Sequence, residues 1–497
     1  MIRVKDVGFI WQNIIGDKKC CQNKYPLNDQ VMNMVNVSFR LYHLKISLGI
    51  AMLLILWGCV LSESEPVTDV AEPSESSPNV VVIVADDLGW NDIGYHGSMV
   101  ETPNLDRLAE GGVRLNQFYA YSTCSPSRVA LLTGQSPALF KVFGPLGSTT
   151  DVRPADMLLP FGLQESHYST HISGKWHIGD TPDHRPLDHG FTTSYGYLRG
   201  QIDPYTHRYK YGDYVTWHRN DQFIEEDGHV TDLITDEAIR VIEKASEEKD
   251  APFFLYVAHH APHYPHNSPP KWIEPYDDVF DDIWRRHNAA VITHMDHEIG
   301  RIVDALEKSG QRDNTLIIFM SDNGGQKGWG APDAEYNGKY AAHTKLGDNT
   351  PLRGWKTDLY EGGIRVPALV NWPSVIPAGG EINNPTHILD WAPTILQITN
   401  PDNPLPEKLE GKNLWPIIAG EKSETTLAGR RLFWRQSGLR TVRDGDWKLI
   451  AHGDDLSEPE LFHLAENPYE DQELGREYPE KKEQLLELLQ QWRGHNP

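Results

Sequence analysis

The residues best suited to chemistry begin with Cys124-Ser125-Pro126-Ser127-Arg128, followed directly by Val129-Ala130-Leu131-Leu132-Thr133-Gly134. Proline is at home in the first turn of a helix, where its missing N–H had no partner to lose, so the spacing predicts a helix starting at Cys124. The free N–H groups and the dipole at such an end favour an anion. Arg128, one turn along, can grip an oxyanion through paired donors. A cysteine opening a helix is equally compatible with plain burial.

Two further pairs, Asp86-Asp87 and Asp322-Asn323, each follow an apolar run. Three carboxylates and an amide oxygen make a hard, oxygen-only set, suited to Ca²⁺ or Mg²⁺ rather than zinc. Taken singly, acids in such positions are as often helix caps or turns. Cations accompany them: Lys175 and His177 in Gly174-Lys175-Trp176-His177-Ile178-Gly179, His263 after Ala261-Pro262, and Lys356 after Leu352-Arg353-Gly354-Trp355. A lone His or Lys is usually a satisfied surface group, so these residues gain weight only as a set. His259 and His260, next to His263, are candidates for supporting or substrate contacts.

These groups need elements to position them. Residues 80–85, 253–258 and 315–320 are continuous apolar runs, the pattern of parallel strands buried on both faces. Each ends in polar residues: Asp86-Asp87, His259-His260 and Ser321-Asp322-Asn323. Helical periodicity lies between them at 104–110, 232–244 and 288–308. Alternating strands and helices imply an α/β fold whose ligands lie beyond the carboxyl ends of the strands, so all three polar clusters should share one sheet edge. From 391 the pattern changes to short segments and turns, with a final helix at 481–492, and reads as a smaller C-terminal α+β subdomain over 391–497.

Cys-x-Pro-Ser-Arg followed by x-x-x-x-Thr-Gly resembles the signature of the type I (formylglycine-dependent) sulfatases of the alkaline phosphatase superfamily. Gly174–Gly179, Ala261-Pro262-His263, Tyr360-Glu361-Gly362-Gly363 and the Asp-Asp and Asp-Asn pairs extend the likeness from about Asn79 to the end. The resemblance implies a large, mainly parallel sheet flanked by helices, with residues 79–390 as the catalytic domain. It implies that a maturation enzyme converts Cys124 to Cα-formylglycine, whose hydrate attacks sulfur. Ca²⁺ would be held by Asp86, Asp87, Asp322, Asn323 and the residue at 124. Lys175 and Lys356 would neutralise sulfate oxygens and Arg128 would steady the hydrate. His263 would protonate the leaving alcohol, and His177 would take a proton from the remaining hydroxyl to expel sulfate. Residues 85–94 and 351–354 lean toward the N-acetylgalactosamine-4-sulfatase and arylsulfatase branch, hence toward a sulfated sugar.

Composition agrees with an enzyme. With 46 Lys+Arg against 70 Asp+Glu and net charge −24, the chain lacks the basic footprint of a nucleic-acid binder. Arg40, His43 and Lys45 precede an apolar run at 46–58, too short for a membrane span and suited to a signal peptide. Leu56-Trp57-Gly58-Cys59 resembles a bacterial lipobox. Residues 1–59 are therefore expected to be an upstream extension plus signal, with Cys59 either the lipid-anchor residue or part of a cleaved secretory signal without lipid, and 60–78 a Ser-, Glu- and Pro-rich tether. The destination is the periplasm or the outer membrane. Past Cys59 the only cysteine is Cys124, so no intrachain disulfide can form there.

Two rival readings stay open on the sequence. One is a phosphate or phosphonate monoester hydrolase of the same superfamily; the other is a lipoprotein that binds sulfated glycans without turnover, as an unmatured Cys124 would leave it. A polyanionic glycan also needs a locally basic rim on so acidic a protein. Arg185, Arg199, His207, Arg208, Lys210 and Arg219, within 183–220, are its candidates.

Overall fold

An uninterrupted apolar strand has to be covered on both faces, and β1 (Asn79–Ala85) is: all seven residues are buried. Side chains alternate across a strand. Val80, Val82 and Val84 therefore join one core, while Val81, Ile83 and Ala85 join the other. The computed structural model describes residues 77–495 apart from 211–213, 249–250, 333–334, 374 and 437. The expected signal, the Cys59 lipobox and the tether up to 76 lie outside the described residues.

β1 sits within a ten-stranded sheet with β2 (Val113–Leu115), β3 (Ser169–Lys175), β4 (Thr193–Tyr197), β5 (Trp217–Arg219), β6 (Gln222–Phe223), β7 (Phe253–Ala258), β8 (Thr315–Ser321), β9 (Ala368–Asn371) and β10 (Gly380–Ile382). The order is β10-β2-β9-β8-β1-β7-β3-β4-β5-β6. Its centre, β8-β1-β7-β3-β4, is parallel throughout, and antiparallel pairings appear only toward the edges. The three apolar runs read from the sequence are thus the adjacent strands β8, β1 and β7. Their carboxyl ends put Asp322-Asn323, Asp86-Asp87 and His259-His260 side by side.

Helices cover both faces. α1 (Pro103–Glu110), α3 (Val230–Glu248) and α4 (Ile283–Lys308) pack on the Val81/Ile83 side through Leu105, Ile234, Ile242, Met295 and Ile299. α2 (Cys124–Thr133) and α5 (Trp391–Thr399) pack on the other through Val129, Leu132, Trp391 and Ile395. α5 therefore shares the core of the large sheet, although the pattern change was read at 391; seven of its nine residues are buried. A separate antiparallel sheet begins only at β11 (Arg431–Gln436), followed in order by β12 (Leu439–Asp444), β13 (Trp447–His452) and β14 (Ser457–His463). α6 (Pro479–His495) lies on it, with Leu485 and Leu489 in a small core of their own. No helix among the described residues is long and apolar enough to cross a membrane.

Candidate active site

The candidate catalytic and metal-holding residues, with His259 and His260, are brought together around this strand edge, and each is buried. β3 delivers Lys175 because Gly174 (φ 118°) lets the strand press on β7, where a Cβ would meet the Ala258 carbonyl oxygen at 1.9 Å. Lys175 Nζ donates to Asp86 Oδ2 at 2.6 Å. The Lys356 ammonium lies 2.8 Å from Asp87 Oδ2 and 2.7 Å from Oδ1. Asp87 also accepts from Asn323 Nδ2 at 2.8 Å, and His263 Nε2 lies 3.7 Å from its Oδ2. To aim this carboxylate Asp87 takes a left-handed backbone (φ 72°), strain of the kind that collects at functional sites.

α2 begins at Cys124, as its Pro126 predicts, and buries all ten of its residues. The Cys124 thiol faces His177 Nδ1 at 3.1 Å, while His177 Nε2 lies 3.2 Å from the Leu146 carbonyl oxygen. A carbonyl can only accept, so the imidazole proton belongs on Nε2 and Nδ1 presents its lone pair to residue 124. Burial, then Lys175, Arg128 and Lys356, push His177 well below the usual histidine range. It is a neutral imidazole with the Nδ1 lone pair aimed at position 124. Ser125 supports the arrangement, donating to the His177 carbonyl at 3.0 Å and accepting from Leu146 N at 2.9 Å.

Arg128 does something different from gripping residue 124. Nε and Nη2 donate to Asp322 Oδ2 at 3.1 and 2.7 Å, and Nη1 donates to the Lys175 carbonyl at 3.0 Å and the Tyr256 hydroxyl at 3.2 Å. Its fork therefore holds Asp322, while its charge also lies close enough to Cys124 to interact with it. Tyr256 was missed in the sequence; a tyrosine inside the otherwise apolar run of β7 is the signal that could have found it.

The charges show what the cluster lacks. Asp86, Asp87 and Asp322 are balanced one for one by Lys175, Lys356 and Arg128, yet unevenly. Burial raises the Asp86 carboxyl despite Lys175, with Asp87 adding to the rise. Burial and Asp86 push Asp322 up to about 6 against Arg128. Burial would raise Asp87 too, but Lys356, His263 and Lys175 hold it well below the ordinary range. Asp86 Oδ1 and Asn323 Oδ1 are buried with no hydrogen-bond partner. Ligand atoms of Asp86, Asp322 and Cys124 lie within 4.8 Å of one another. Buried, under-compensated oxygens around one point fit a hard divalent cation.

His263 donates Nδ1–H to the Tyr264 carbonyl at 2.5 Å, leaving Nε2 on the Asp87 side. Burial and Lys356 hold it well below the usual histidine range, opposed by Asp87. His260 packs against His263 with ring centroids 5.8 Å apart, and His259 is wholly buried with neither ring nitrogen bonded. The expected basic rim is largely spent on acids: Arg199 pairs with Asp180, Arg208 with Glu225, Lys210 with Glu335 at 2.9 Å and Arg219 with Glu237 at 2.7 Å. Lys210 also lies 5.7 Å from the Trp329 ring, which is itself 6.0 Å from His263.

Gly200 is a further requirement. A Cβ there would sit 2.7 Å from both Cε1 and Nε2 of His177. Gly200→Ala should therefore push the imidazole off residue 124 and lower kcat by about 10²-fold, as displacements of this size do. Circular dichroism and the unfolding midpoint should stay near wild type; unchanged kcat would show that His177 is not held where described.

Residues 78–401 match the family model described as Sulfatase, and residues 354–494 match that described as N-sulphoglucosamine sulphohydrolase, C-terminal. Arylsulfatase J of Mus musculus is 30% identical over 479 residues, covering 84% of this chain and 76% of that protein. N-acetylgalactosamine-6-sulfatase of Mus musculus is 30% identical over 394 residues, covering 75% and 71%. A solved structure, Ps i-CgsB in complex with k-i-k-neocarrahexaose, is similar with a TM-score of 0.74 at 29% identity, covering 85% of this chain and 94% of that one.

Proposed function

From the premise that the chain belongs to the sulfatase family of sulfuric ester hydrolases, we propose that it is an exported enzyme removing sulfate from a sugar of a sulfated oligosaccharide or polysaccharide. Its reactive side chain is a formylglycine made from Cys124 by a maturation enzyme, and its resident metal is Ca²⁺. The observation carrying this reading is the Cys124–His177 contact, with the imidazole proton fixed on the far nitrogen, beside three carboxylates matched by three cations. The sugar assignment is supported by the relatives: one is an N-acetylgalactosamine-6-sulfatase, and one solved structure holds a neocarrahexaose. Export rests on the signal-like run at 46–58, and a lipid anchor on Cys59.

Asp86, Asp87, Asp322 and Asn323 would hold the cation, with residue 124 beside them. Bound there, Ca²⁺ would add positive charge against the sulfate oxygens, and the hydrated formylglycine would offer a hydroxyl to sulfur. The chain's own residues do the rest. Three cations match the three carboxylates in formal charge, although unevenly placed, so a divalent ion leaves the site net positive, matched to a monoanionic ester. Lys175 and Lys356 direct their ammonium groups at the same point from β3 and from the 352–356 turn. His177 takes a proton from residue 124 at Nδ1. His263 delivers one to the departing sugar oxygen from Nε2, the nitrogen its Tyr264 bond leaves available. In the free site His263 is neutral; the bound ester's negative charge, added to that of Asp87, favours its protonation.

The test is free sulfate released from sulfated galactans, glycosaminoglycans and their oligosaccharides, with a phosphate monoester alongside, using protein co-expressed with a maturation enzyme. Sulfate from at least one sugar and little phosphate is expected. Faster phosphate than sulfate release would transfer the assignment to phosphoester hydrolysis, and no release from fully matured protein would favour glycan binding alone.

A further inference from the structure

Outside the strand-edge site, two histidines and an aspartate from distant parts of the chain meet at the start of α3. His229 immediately precedes the helix, and its Nδ1 accepts from Thr231 N at 3.2 Å, which leaves the ring proton on the other nitrogen. Asp232 lies one turn in. His294 arrives from α4, with Nε2 3.1 Å from Asp232 Oδ1. His229 Nδ1 is 3.9 Å from Asp232 Oδ2. The two imidazole rings are 4.8 Å apart, and ligand atoms of all three residues lie within 4.8 Å of one another.

The His229 Nδ1 lone pair is held by the Thr231 N–H and lies 3.9 Å from an Asp232 carboxylate oxygen, so an ion binding there exchanges that amide hydrogen bond for a metal bond. We propose that His229, Asp232 and His294 form a second metal site, for a borderline transition-metal ion such as Zn²⁺, built from different residues than the carboxylate site. Two imidazoles and a carboxylate are a zinc-type donor set, and bonds of about 2.0–2.1 Å in tetrahedral geometry place ligand atoms about 3.4 Å apart. His294 Nε2 lies 3.1 Å from Asp232 Oδ1 and His229 Nδ1 lies 3.9 Å from Asp232 Oδ2, distances on either side of that spacing. On binding, His294 takes the tautomer with its proton on Nδ1, so that Nε2 presents its lone pair to the ion, and a water completes the shell.

The surroundings fit the role. Burial keeps His229 down at about 4, so its imidazole is a neutral ligand at physiological pH. Burial alone would raise Asp232, but its bonds and charge contacts with His294 and His229 leave it lowered, hence anionic. Side chains of His229 and His294 are 5% and 1% exposed while Asp232 is 40% exposed, so an ion can reach the pair from solvent through the carboxylate. Trp272 stacks on His294 at 5.0 Å and Tyr205 meets His229 edge-on at 5.0 Å, fixing both rings. The site would tie the start of α3 to the middle of α4.

The experiment uses full-length mature protein stripped with chelator, then equilibrated with Zn²⁺, and separately with Co²⁺ as a visible probe, and counted by elemental analysis after gel filtration. Wild type should retain one equivalent of Zn²⁺, and so should Asp322→Asn, whose hard-cation site is crippled. Asp232→Asn and His229→Asn should bind about tenfold more weakly or worse and lose the Co²⁺ absorption. Both variants are chosen to fold, since asparagine is itself a favoured residue at a helix start. Zn²⁺ retention by Asp232→Asn and His229→Asn equal to wild type would overturn the assignment, as would loss of the ion in Asp322→Asn alone. Absence of Zn²⁺ from wild type would also overturn it.

Discussion

Arg128→Met should destabilise the folded chain by roughly 3–5 kcal/mol, the usual cost of removing one partner from a buried ion pair. Arg128 is 1% exposed and Asp322 wholly buried. Without the guanidinium, Asp322 loses both donors to Oδ2, and the Lys175 carbonyl and Tyr256 hydroxyl lose theirs. The defect should depend on pH. Asp322 already sits at about 6 because of burial and Asp86, above the unfolded value of 3.8, so the folded chain holds this proton more tightly than the unfolded one. Such a group favours the fold below about pH 4, and that contribution is lost as pH rises through 6. Removing Arg128 steepens the loss. In chelator, denaturant unfolding should show the largest deficit near pH 7.5 and a smaller one near pH 5. Equal midpoints for variant and wild type at both pH values would show that Arg128 is not what compensates these carboxylates.

His263→Ala should lower kcat on a sugar sulfate by about 10²–10⁴-fold, the range for losing a positioned general acid. A sugar alkoxide is a poor leaving group and needs its proton; an activated aryl oxide does not. The same variant should therefore lose little on an aryl sulfate with an acidic phenol. Because His263 Nε2 is 3.7 Å from Asp87, a purely structural role would depress both substrates together. Equal losses on the two would remove His263 from the acid's position and leave Lys356, bonded to the same carboxylate, to fill it.

The fold's centre was legible because β8, β1 and β7 are apolar on both faces, and only a doubly covered sheet interior demands that. The polar residues ending each run then had to share an edge, which is how Asp86, Asp87, Asp322 and Asn323 could be grouped across 236 residues of chain. Cys124 was legible through Pro126, which fixes where α2 starts. Arg128 was legible as a member of the site but its partner was not, since a helix turn gives direction without saying which carboxylate lies there. The partners of the 183–220 cations were not legible, because sequence shows charges and hides what they meet; Glu225, Glu237 and Glu335 become neighbours only in the folded chain. α5 was hard to assign for another reason: a short apolar helix reads alike whether it faces its own subdomain or the main core. His229, Asp232 and His294 could not be connected at all, because α3 and α4 bring them together across 62 residues with no motif spanning them.

The most direct test of the account joins two readings on one sample: the mass of the peptide containing residue 124, and sulfate released from the best sugar in the panel. The account predicts that released sulfate rises in proportion to the fraction of Cys124 converted to formylglycine. It also predicts that Cys124→Ala falls at least about 10⁴-fold, as loss of a nucleophile does. Sulfate release that is unchanged in Cys124→Ala, or independent of the converted fraction, would contradict it.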